Sequence, residues 1–248
     1  MNVGRDVLVV MPAWNEANNL SFVLEEILAS GPWDVLVVDD ASRDETAAVA
    51  MLCEDVETVR LPINLGIGGA VQTGYRYALE FGYQYVVQVD SDGQHVPSDI
   101  EKLLRPLRED KADVVVGSRF LDGRGKESTT WSRRLGIFLF SKASTTVGSL
   151  DIRDVTSGFR AVNRRALERW AEAYPTDFPD APALLQLHLE GLRLLELSAA
   201  FRERRSGSSS TTLLRSLYYP FKGMMTLVAV LLGRLQGGVK GNGCFRRS

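Results

Sequence analysis

The 248-residue sequence predicts an α/β protein whose mainly parallel sheet is covered by helices on both faces. Short apolar runs alternate with segments of helical periodicity, which is typical of successive strand–helix–strand units. Most of the apolar runs end in polar residues or glycine, as strands do where they leave a sheet. With 45% hydrophobic residues, the chain can bury one large core or two small ones.

The elements follow one another in a regular order. The predicted strands are residues 6–11, 35–38, 56–61, 85–89, 114–116 and 192–197. The predicted helices are residues 20–28, a helix opened by a capping box at 42–45, residues 70–81, a helix opened by a second capping box at 98–101, residues 164–173 and residues 183–190. Pro12 is expected to stop the first strand.

Polar residues at the strand ends fall on one side of the predicted sheet. They are Asn15, Asp39, Asn64, Asp90 and Arg119. In open α/β sheets this carboxyl edge is where ligands bind. We therefore expect a binding site there, and the glycines of residues 64–69 would let backbone approach a ligand closely.

Asp90 and Asp92 close the strand at 85–89 and are two residues apart. In extended backbone, residues at this spacing point to the same side, so both carboxylates can face one cation. Hard oxygen ligands favour Mg²⁺ or Mn²⁺, which commonly take substrate phosphates as further ligands. The alternative is an ordinary solvated Asp-Ser-Asp-Gly turn.

Charge and cysteine content narrow the function classes. The net charge is −2, yet residues 201–248 hold nine Lys or Arg against the single acid Glu203. This basic segment predicts an anionic partner near that end, and we expect no nucleic-acid partner.

Two cysteines make no disulfide framework, and neither a signal peptide nor an 18-residue apolar run is evident, so we expect a cytoplasmic protein.

Six segments in this order resemble the signatures of glycosyltransferase family 2. They are VMPAWNE (10–16), VVDDAS (37–42), NLG (64–66), DSDGQ (90–94), GSR (117–119) and SGFR (157–160). Within the family, residues 6–212 are most similar to the dolichyl/polyprenyl-phosphate sugar transferase branch. The resemblance implies a GT-A fold, a nucleotide-sugar donor and inversion at the anomeric carbon.

The resemblance also implies roles for individual residues. The nucleotide would be held by Pro12, Ala13, Asn15, Glu16 and Asp39 or Asp40, with Asn64 and Gly68 in the glycine-rich turn. The cation, Mg²⁺ or Mn²⁺, would be held by Asp90, Asp92 and Gln94. The candidate catalytic residues are Asp92 and the phosphate-facing arginines Arg119, Arg133 (or its neighbour Arg134) and Arg204.

The acceptor is left open by the sequence. A polyprenyl phosphate is already an anion and needs no general base, and Ala183 stands near the position where many relatives carry an acid. The alternatives are a soluble or peptide acceptor, or a nucleotide-sugar-binding protein without turnover. UDP- and GDP-linked donors are both compatible with the motifs, and no residue separates them.

Two domains are expected: residues 1–211 as the GT-A domain and residues 212–248 as a basic amphipathic helix and tail. The apolar stretch in this tail is too short to cross a bilayer. It is a core helix, an oligomer contact or an interfacial helix, and the last would place the protein peripherally at the cytoplasmic face of the membrane. The sequence does not define the oligomeric state.

Overall fold

The computed structural model describes residues 6–121, 152–175 and 179–204, which form a seven-stranded sheet with helices on both faces. The strands are β1 (Val7–Ala13), β2 (Asp34–Asp39), β3 (Val56–Arg60), β4 (Tyr85–Gln88), β5 (Val114–Ser118), β6 (Arg160–Asn163) and β7 (Leu194–Ser198). The helices are α1 (Ala17–Ser30), α2 (Thr46–Met51), α3 (Gly66–Glu80), α4 (Ile100–Arg108), α5 (Arg164–Glu172) and α6 (Asp180–Leu189), with a 3-10 turn at Pro97–Asp99.

The sheet is mixed and mostly parallel, as predicted. Its strand order is β3-β2-β1-β4-β6-β5-β7, and only β6 runs antiparallel to its neighbours β4 and β5. The sequence prediction missed β6, because its four residues contain only Ala161 and Val162 as apolar members and form no recognisable run. Since β6 is reversed, the SGFR segment at its start lies at the carboxyl edge of β4 and β5.

Two hydrophobic layers pack on the sheet. Alternate strand residues such as Val10 face α3, α5 and α6, whereas Val9 faces the layer that contains α1 and α4. This period-two alternation places one set of valines in each layer and leaves both faces of the sheet buried. The predicted three-layer architecture is confirmed.

Strand β1 continues through Pro12 to Ala13, so the expectation that Pro12 stops it is wrong. Strand β4 pairs with β1 only as far as Val10, so Pro12 has no ladder partner on that side and loses no strand hydrogen bond. Its carbonyl oxygen instead accepts a hydrogen bond from Ser91 Oγ at 3.0 Å.

Neither capping box forms. Helices α2 and α4 begin after Glu45 and Asp99, and neither start has a side-chain cap. The serine and aspartate side chains bond to distant loops instead: Ser42 Oγ accepts from Asn15 N at 2.9 Å, and Asp99 Oδ2 accepts from Ala200 N at 2.7 Å. These tertiary partners compete with the local motif.

Helix α3 begins at Gly66, four residues before the predicted start, so the glycine-rich segment forms its first turn. One of its glycines is required for packing, since a Cβ on Gly74 would lie 2.2 Å from Val10 Cγ1. Among the described residues, no helix has the length and hydropathy needed to cross a membrane. Residues 122–151, which include Arg133 and Arg134, and the predicted helix and tail at 212–248 lie outside the described residues.

Candidate active site

The loops after β1 and β2 are tied together by side-chain hydrogen bonds at the carboxyl edge. Asn15 adopts a left-handed φ of 55°, which asparagine tolerates, and its Oδ1 accepts from Arg43 N at 2.8 Å. Thr46 Oγ1 accepts from Glu16 N at 2.9 Å. The predicted residues Asn15 and Glu16 are therefore brought beside the end of β2.

Asp40 anchors the start of α3. Its Oδ1 accepts from Leu65 N at 2.7 Å and its Oδ2 accepts from Gly66 N at 2.9 Å, while Asn64 Nδ2 donates to its carbonyl oxygen at 3.0 Å. Burial raises the pKa of Asp40, the two backbone hydrogen bonds oppose this, and the charge of Asp39 raises the pKa further. Both carboxylate oxygens of Asp40 are thus engaged with protein backbone.

Of the two carboxylate oxygens of Asp39, only Oδ1 accepts a hydrogen bond among the described residues. Asp39 is buried, and its Oδ1 accepts from Ser42 N at 3.1 Å. Its Oδ2 has no hydrogen bond within the described part of the chain, although Arg60 Nε lies 3.2 Å away. Of the two adjacent aspartates, Asp39 is therefore the one whose second carboxylate oxygen makes no hydrogen bond among the described residues; this oxygen is buried and ion-paired with Arg60.

The other predicted nucleotide-binding residues lie nearby in the fold. Pro12 and Ala13 are the buried last residues of β1, and Ala13 O accepts from Asp40 N at 2.9 Å. Gly68 is buried in the first turn of α3. Trp14, at the same edge, keeps 45% of its surface exposed.

Asp90 and Asp92 follow β4 and interact electrostatically. Burial raises the pKa of Asp90, and burial followed by the negative charge of Asp90 raises the pKa of Asp92. The side chain of Asp90 nevertheless keeps 34% of its surface accessible. The negative charges of Asp90 and Asp92 repel each other, and Asp90 is accessible to solvent. A cation bound by both carboxylates would relieve this repulsion.

The donor set at this pair consists of oxygens. No group of three or more His, Cys, Asp or Glu residues in the described ranges could hold a metal ion by itself. A cation at Asp90 and Asp92 would therefore complete its shell with water and substrate oxygens, as Mg²⁺ commonly does. Gln94, the third predicted ligand, is half-buried, and its backbone N donates to Asp92 Oδ1 at 3.0 Å.

His95 was assigned no role from the sequence, yet it contacts Asp90 directly. Its Nδ1 accepts a hydrogen bond from Asp90 N at 3.0 Å, and its ring is buried between Phe159 and Phe201. Burial lowers the pKa of His95 to about 4, so the ring is neutral at physiological pH. A neutral imidazole that accepts at Nδ1 carries its hydrogen on Nε2.

Arg119 is held by a buried carboxylate that the sequence did not reveal. Asp154 Oδ2 accepts from Arg119 N at 3.0 Å and from Nε at 2.7 Å, and Oδ1 accepts from Nη2 at 2.7 Å. Thr156 Oγ1 lies 2.9 Å from Nη2. This bidentate pairing fixes the orientation of the guanidinium. Asp154 lies 35 positions downstream in an irregular loop, which explains why no local pattern indicated it.

Arginine charges surround the carboxylate pair. Burial raises the pKa of Asp90, and the charges of Arg160, Arg119 and Arg204 lower it in part, which places all three arginines within electrostatic reach. Arg204 also pairs with Glu16 through Nη2 and Oε1, and so connects the end of the described chain to the loop after β1. Arg133 and its alternative Arg134 fall outside the described residues.

Ala183 is a buried residue of α6 in the hydrophobic layer shared with α3 and α5, and its carbonyl oxygen accepts from Trp170 Nε1 at 3.3 Å. The inference that an alanine at this position favours a phosphate acceptor stays a prediction.

The mostly parallel sheet and the site at its carboxyl edge define a glycosyltransferase of the GT-A fold. The chain matches the sequence profile described as Glycosyl transferase family 2 over residues 8–170 and belongs to this family. A solved structure of glucosyl-3-phosphoglycerate synthase from Mycobacterium tuberculosis, in complex with Mn²⁺, uridine diphosphate and phosphoglyceric acid, superimposes with a TM-score of 0.66. It covers 91% of this chain and 78% of that chain at 20% identity, a likeness of fold.

Several relatives carry names from the polyprenyl-phosphate branch. The undecaprenyl-phosphate mannosyltransferase of Micrococcus luteus is 33% identical over 216 residues, which are 82% of this chain and 86% of the relative. The polyprenol monophosphomannose synthase of Mycolicibacterium smegmatis is 32% identical over 65% of this chain and 63% of its own length. The dolichol-phosphate mannosyltransferase of Pyrococcus furiosus is 30% identical over 82% of this chain, which spans 58% of that protein.

Proposed function

We propose that the protein transfers a sugar, with inversion and with the help of a divalent cation, from a nucleoside-diphosphate sugar to a polyprenyl phosphate. The observation that carries this proposal is the carboxylate pair Asp90 and Asp92, whose charges are only partly compensated by the surrounding arginines. Such a site attracts a cation together with an anionic ligand. The relatives named above supply the substrate class.

Asp90 and Asp92 would hold the cation, Mg²⁺ or Mn²⁺, since both offer the hard oxygens that these ions prefer. When bound, such an ion stabilises the negative charge that develops on a diphosphate leaving group. Gln94 would contribute through its backbone bond to Asp92, which holds that carboxylate in place.

Asp39 would recognise the nucleobase. Its buried Oδ2 can accept an N–H from either uracil or guanine, so this contact is compatible with both donor classes. Asn15 and Glu16 are tied to the segment after β2, because their backbone N–H groups donate to Ser42 Oγ and Thr46 Oγ1. We expect Asp39→Ala to raise the KM for the donor more than it lowers kcat.

The acceptor phosphate would be aligned by arginines rather than activated by a base. A phosphate is already anionic at neutral pH, so positioning supplies much of the rate. Arg204 stands near both aspartates, and Arg119 is oriented by Asp154. Each of these guanidinium groups has a carboxylate partner in the protein, Asp154 for Arg119 and Glu16 for Arg204.

One assay tests the proposal. The protein is incubated with UDP- or GDP-linked radiolabelled sugars, a polyprenyl phosphate and Mn²⁺ or Mg²⁺, and the products are extracted with organic solvent. Label in the organic phase that disappears with chelator is the expected result. Label transferred to a soluble phosphorylated acceptor instead would overturn the lipid assignment, and donor binding without consumption across the acceptor panel would indicate a non-catalytic binder.

We also infer that the basic C-terminal region attaches the protein peripherally to an anionic membrane. Residues 201–248 carry nine Lys or Arg against one acid, and each basic residue near such a surface contributes about 1 kcal/mol. Co-sedimentation with anionic vesicles at low salt, but not with zwitterionic vesicles, is expected. A protein that stays in the supernatant with both would contradict the inference.

A further inference from the structure

The backbone of Gly158 lies directly against the Asp90 carboxylate. A Cβ at this position would lie 2.7 Å from Asp90 Oδ2 and 2.9 Å from Oδ1, closer than real Cβ contacts occur. Gly158 has no left-handed φ, in contrast to Gly66, Gly93 and Gly191. The glycine is therefore required by proximity to Asp90 and not by an unusual backbone conformation.

A second contact holds Asp90 through its backbone. Asp90 N donates to His95 Nδ1 at 3.0 Å, and His95 Nε2 lies 3.5 Å from Asp90 Oδ2. A neutral ring with its hydrogen on Nε2 directs a donor toward that carboxylate. His95 therefore contacts both the backbone N–H and the side-chain carboxylate of Asp90.

The glycine and the histidine belong to one packed unit. Phe159, the residue after Gly158, stacks on the His95 ring at a centroid distance of 4.9 Å and an interplanar angle of 13°. Phe201 packs edge-on against the same ring at 5.3 Å, and its backbone forms an antiparallel bridge with His95. These contacts pack Phe159 and Phe201 against the ring that bonds to Asp90.

We propose that Gly158 and His95 are positioning residues for Asp90, and that the SGFR segment serves to present this carboxylate to the cation. The inference rests on the proposed function, since it gives Asp90 the role of cation ligand. It assigns to the SGFR segment a role behind the ligand rather than contact with substrate. Outer-shell residues of this kind change metal affinity by about 10–100-fold when they are replaced.

The test measures Mn²⁺ affinity by the electron paramagnetic resonance signal of free Mn²⁺, without nucleotide and with UDP or GDP, in four variants. Gly158→Ala places a methyl group against the Asp90 carboxylate. His95→Phe keeps an aromatic ring for the stack and removes the acceptor, whereas His95→Asn keeps an acceptor oxygen near the Nδ1 position. Gly82→Ala is the matched control, because it lies at φ +81° with nothing within 4 Å of its Cβ.

We expect Mn²⁺ affinity to fall by about tenfold or more in Gly158→Ala and His95→Phe, and to recover substantially in His95→Asn. Gly82→Ala should lower the melting temperature without changing the affinity. A purely structural role predicts the same behaviour for Gly158→Ala as for this control. Unchanged Mn²⁺ affinity in folded Gly158→Ala and His95→Phe would overturn the inference while leaving the proposed function intact.

Two further results complete the test. If Gly158→Ala does not fold, the two histidine variants decide the matter, and equal affinities in His95→Asn and His95→Phe would overturn the role of the Nδ1 acceptor. If the wild-type protein binds no Mn²⁺ even with UDP or GDP, the cation part of the proposed function falls together with this inference.

Discussion

The aspartates at the two opposite edges of the sheet have pKa values shifted in opposite directions. Asp113 precedes β5 at the amino edge, and its side chain is only 2% exposed. Burial alone would raise its pKa, but hydrogen bonds from Arg193 and Asn163 lower the pKa to about 2. At the carboxyl edge, burial raises the pKa of Asp90, and burial together with the charge of Asp90 raises that of Asp92.

The difference separates a structural carboxylate from carboxylates kept for a ligand. Asp113 accepts from Arg193 N at 2.8 Å and from Asn163 Nδ2 at 2.9 Å, so its charge is compensated within the protein. Asp90 and Asp92 are left partly uncompensated, although three arginines lie within electrostatic reach of Asp90. Undercompensated charge lowers stability and is characteristic of functional sites.

The largest expected effect is the loss of activity in Asp92→Ala. Removing one of the two candidate cation ligands should lower kcat/KM by about 10³-fold, which corresponds to several kcal/mol of transition-state stabilisation. Because the change also removes repulsion between two carboxylates, the melting temperature should not fall. Activity assays and thermal denaturation measure both quantities, with the exposed Asp55→Ala as control. Wild-type activity in Asp92→Ala would remove the cation from the mechanism.

Asp113→Ala is expected to lower stability and to leave activity unchanged. The change leaves Arg193 and its backbone N–H without their acceptor and should lower the free energy of unfolding by about 2–3 kcal/mol. The effect stays at this level because nearly half of the Arg193 side chain is exposed and solvent screens its charge. Urea denaturation measures the loss, and kcat should be unchanged.

A surface ion pair provides the control for Asp113. Glu168 pairs with Arg164 one helical turn away on α5, where both side chains are substantially exposed. Glu168→Ala should change the unfolding free energy by about 0.5 kcal/mol or less. If Asp113→Ala lowered the free energy of unfolding no more than Glu168→Ala does, the contrast between the two edges of the sheet would not hold.

Asp40→Ala should give an intermediate stability loss. The carboxylate accepts two backbone hydrogen bonds at the start of α3, but burial raises its pKa, so the net gain is smaller than at Asp113. We expect a loss of about 1–2 kcal/mol by urea denaturation. Asp40→Asn, which keeps one acceptor oxygen, should recover part of it, and equal losses in the two variants would contradict the anchoring role.

The smallest expected effect is a change in acid stability. Asp113 has a lowered pKa in the folded protein, so its contribution is fully present above about pH 4 and is lost as the pH falls through about 2. The difference in urea midpoint between wild type and Asp113→Asn should therefore narrow between pH 6 and pH 3. A difference that widens toward acid would show that the pKa is not lowered.

Local patterns in the sequence were sufficient for most of the architecture. The strand–helix alternation predicted the parallel sheet, and strand-end polarity placed Asp90 and Asp92 after β4, although β4 ends at Gln88 and neither aspartate is part of the strand. That the two carboxylates share one cation stays a prediction. Period-two alternation and strand-end polarity are properties of the backbone itself, so a sequence displays them directly. The adjacent aspartates Asp39 and Asp40 could not be told apart in this way, because both follow the same strand.

Only the tertiary structure decided which side chains meet across the fold. The insertion of β6, the pairing of Arg119 with Asp154 and the contact of Gly158 with Asp90 join segments that lie tens of residues apart. Their short flanking sequences carry no periodic signal, and the competing local motifs, the two capping boxes, gave way to more distant partners. The sequence alone therefore determined that carboxylates gather at one edge of the sheet, whereas three-dimensional packing decided which of them are compensated, because compensation depends on distance in space.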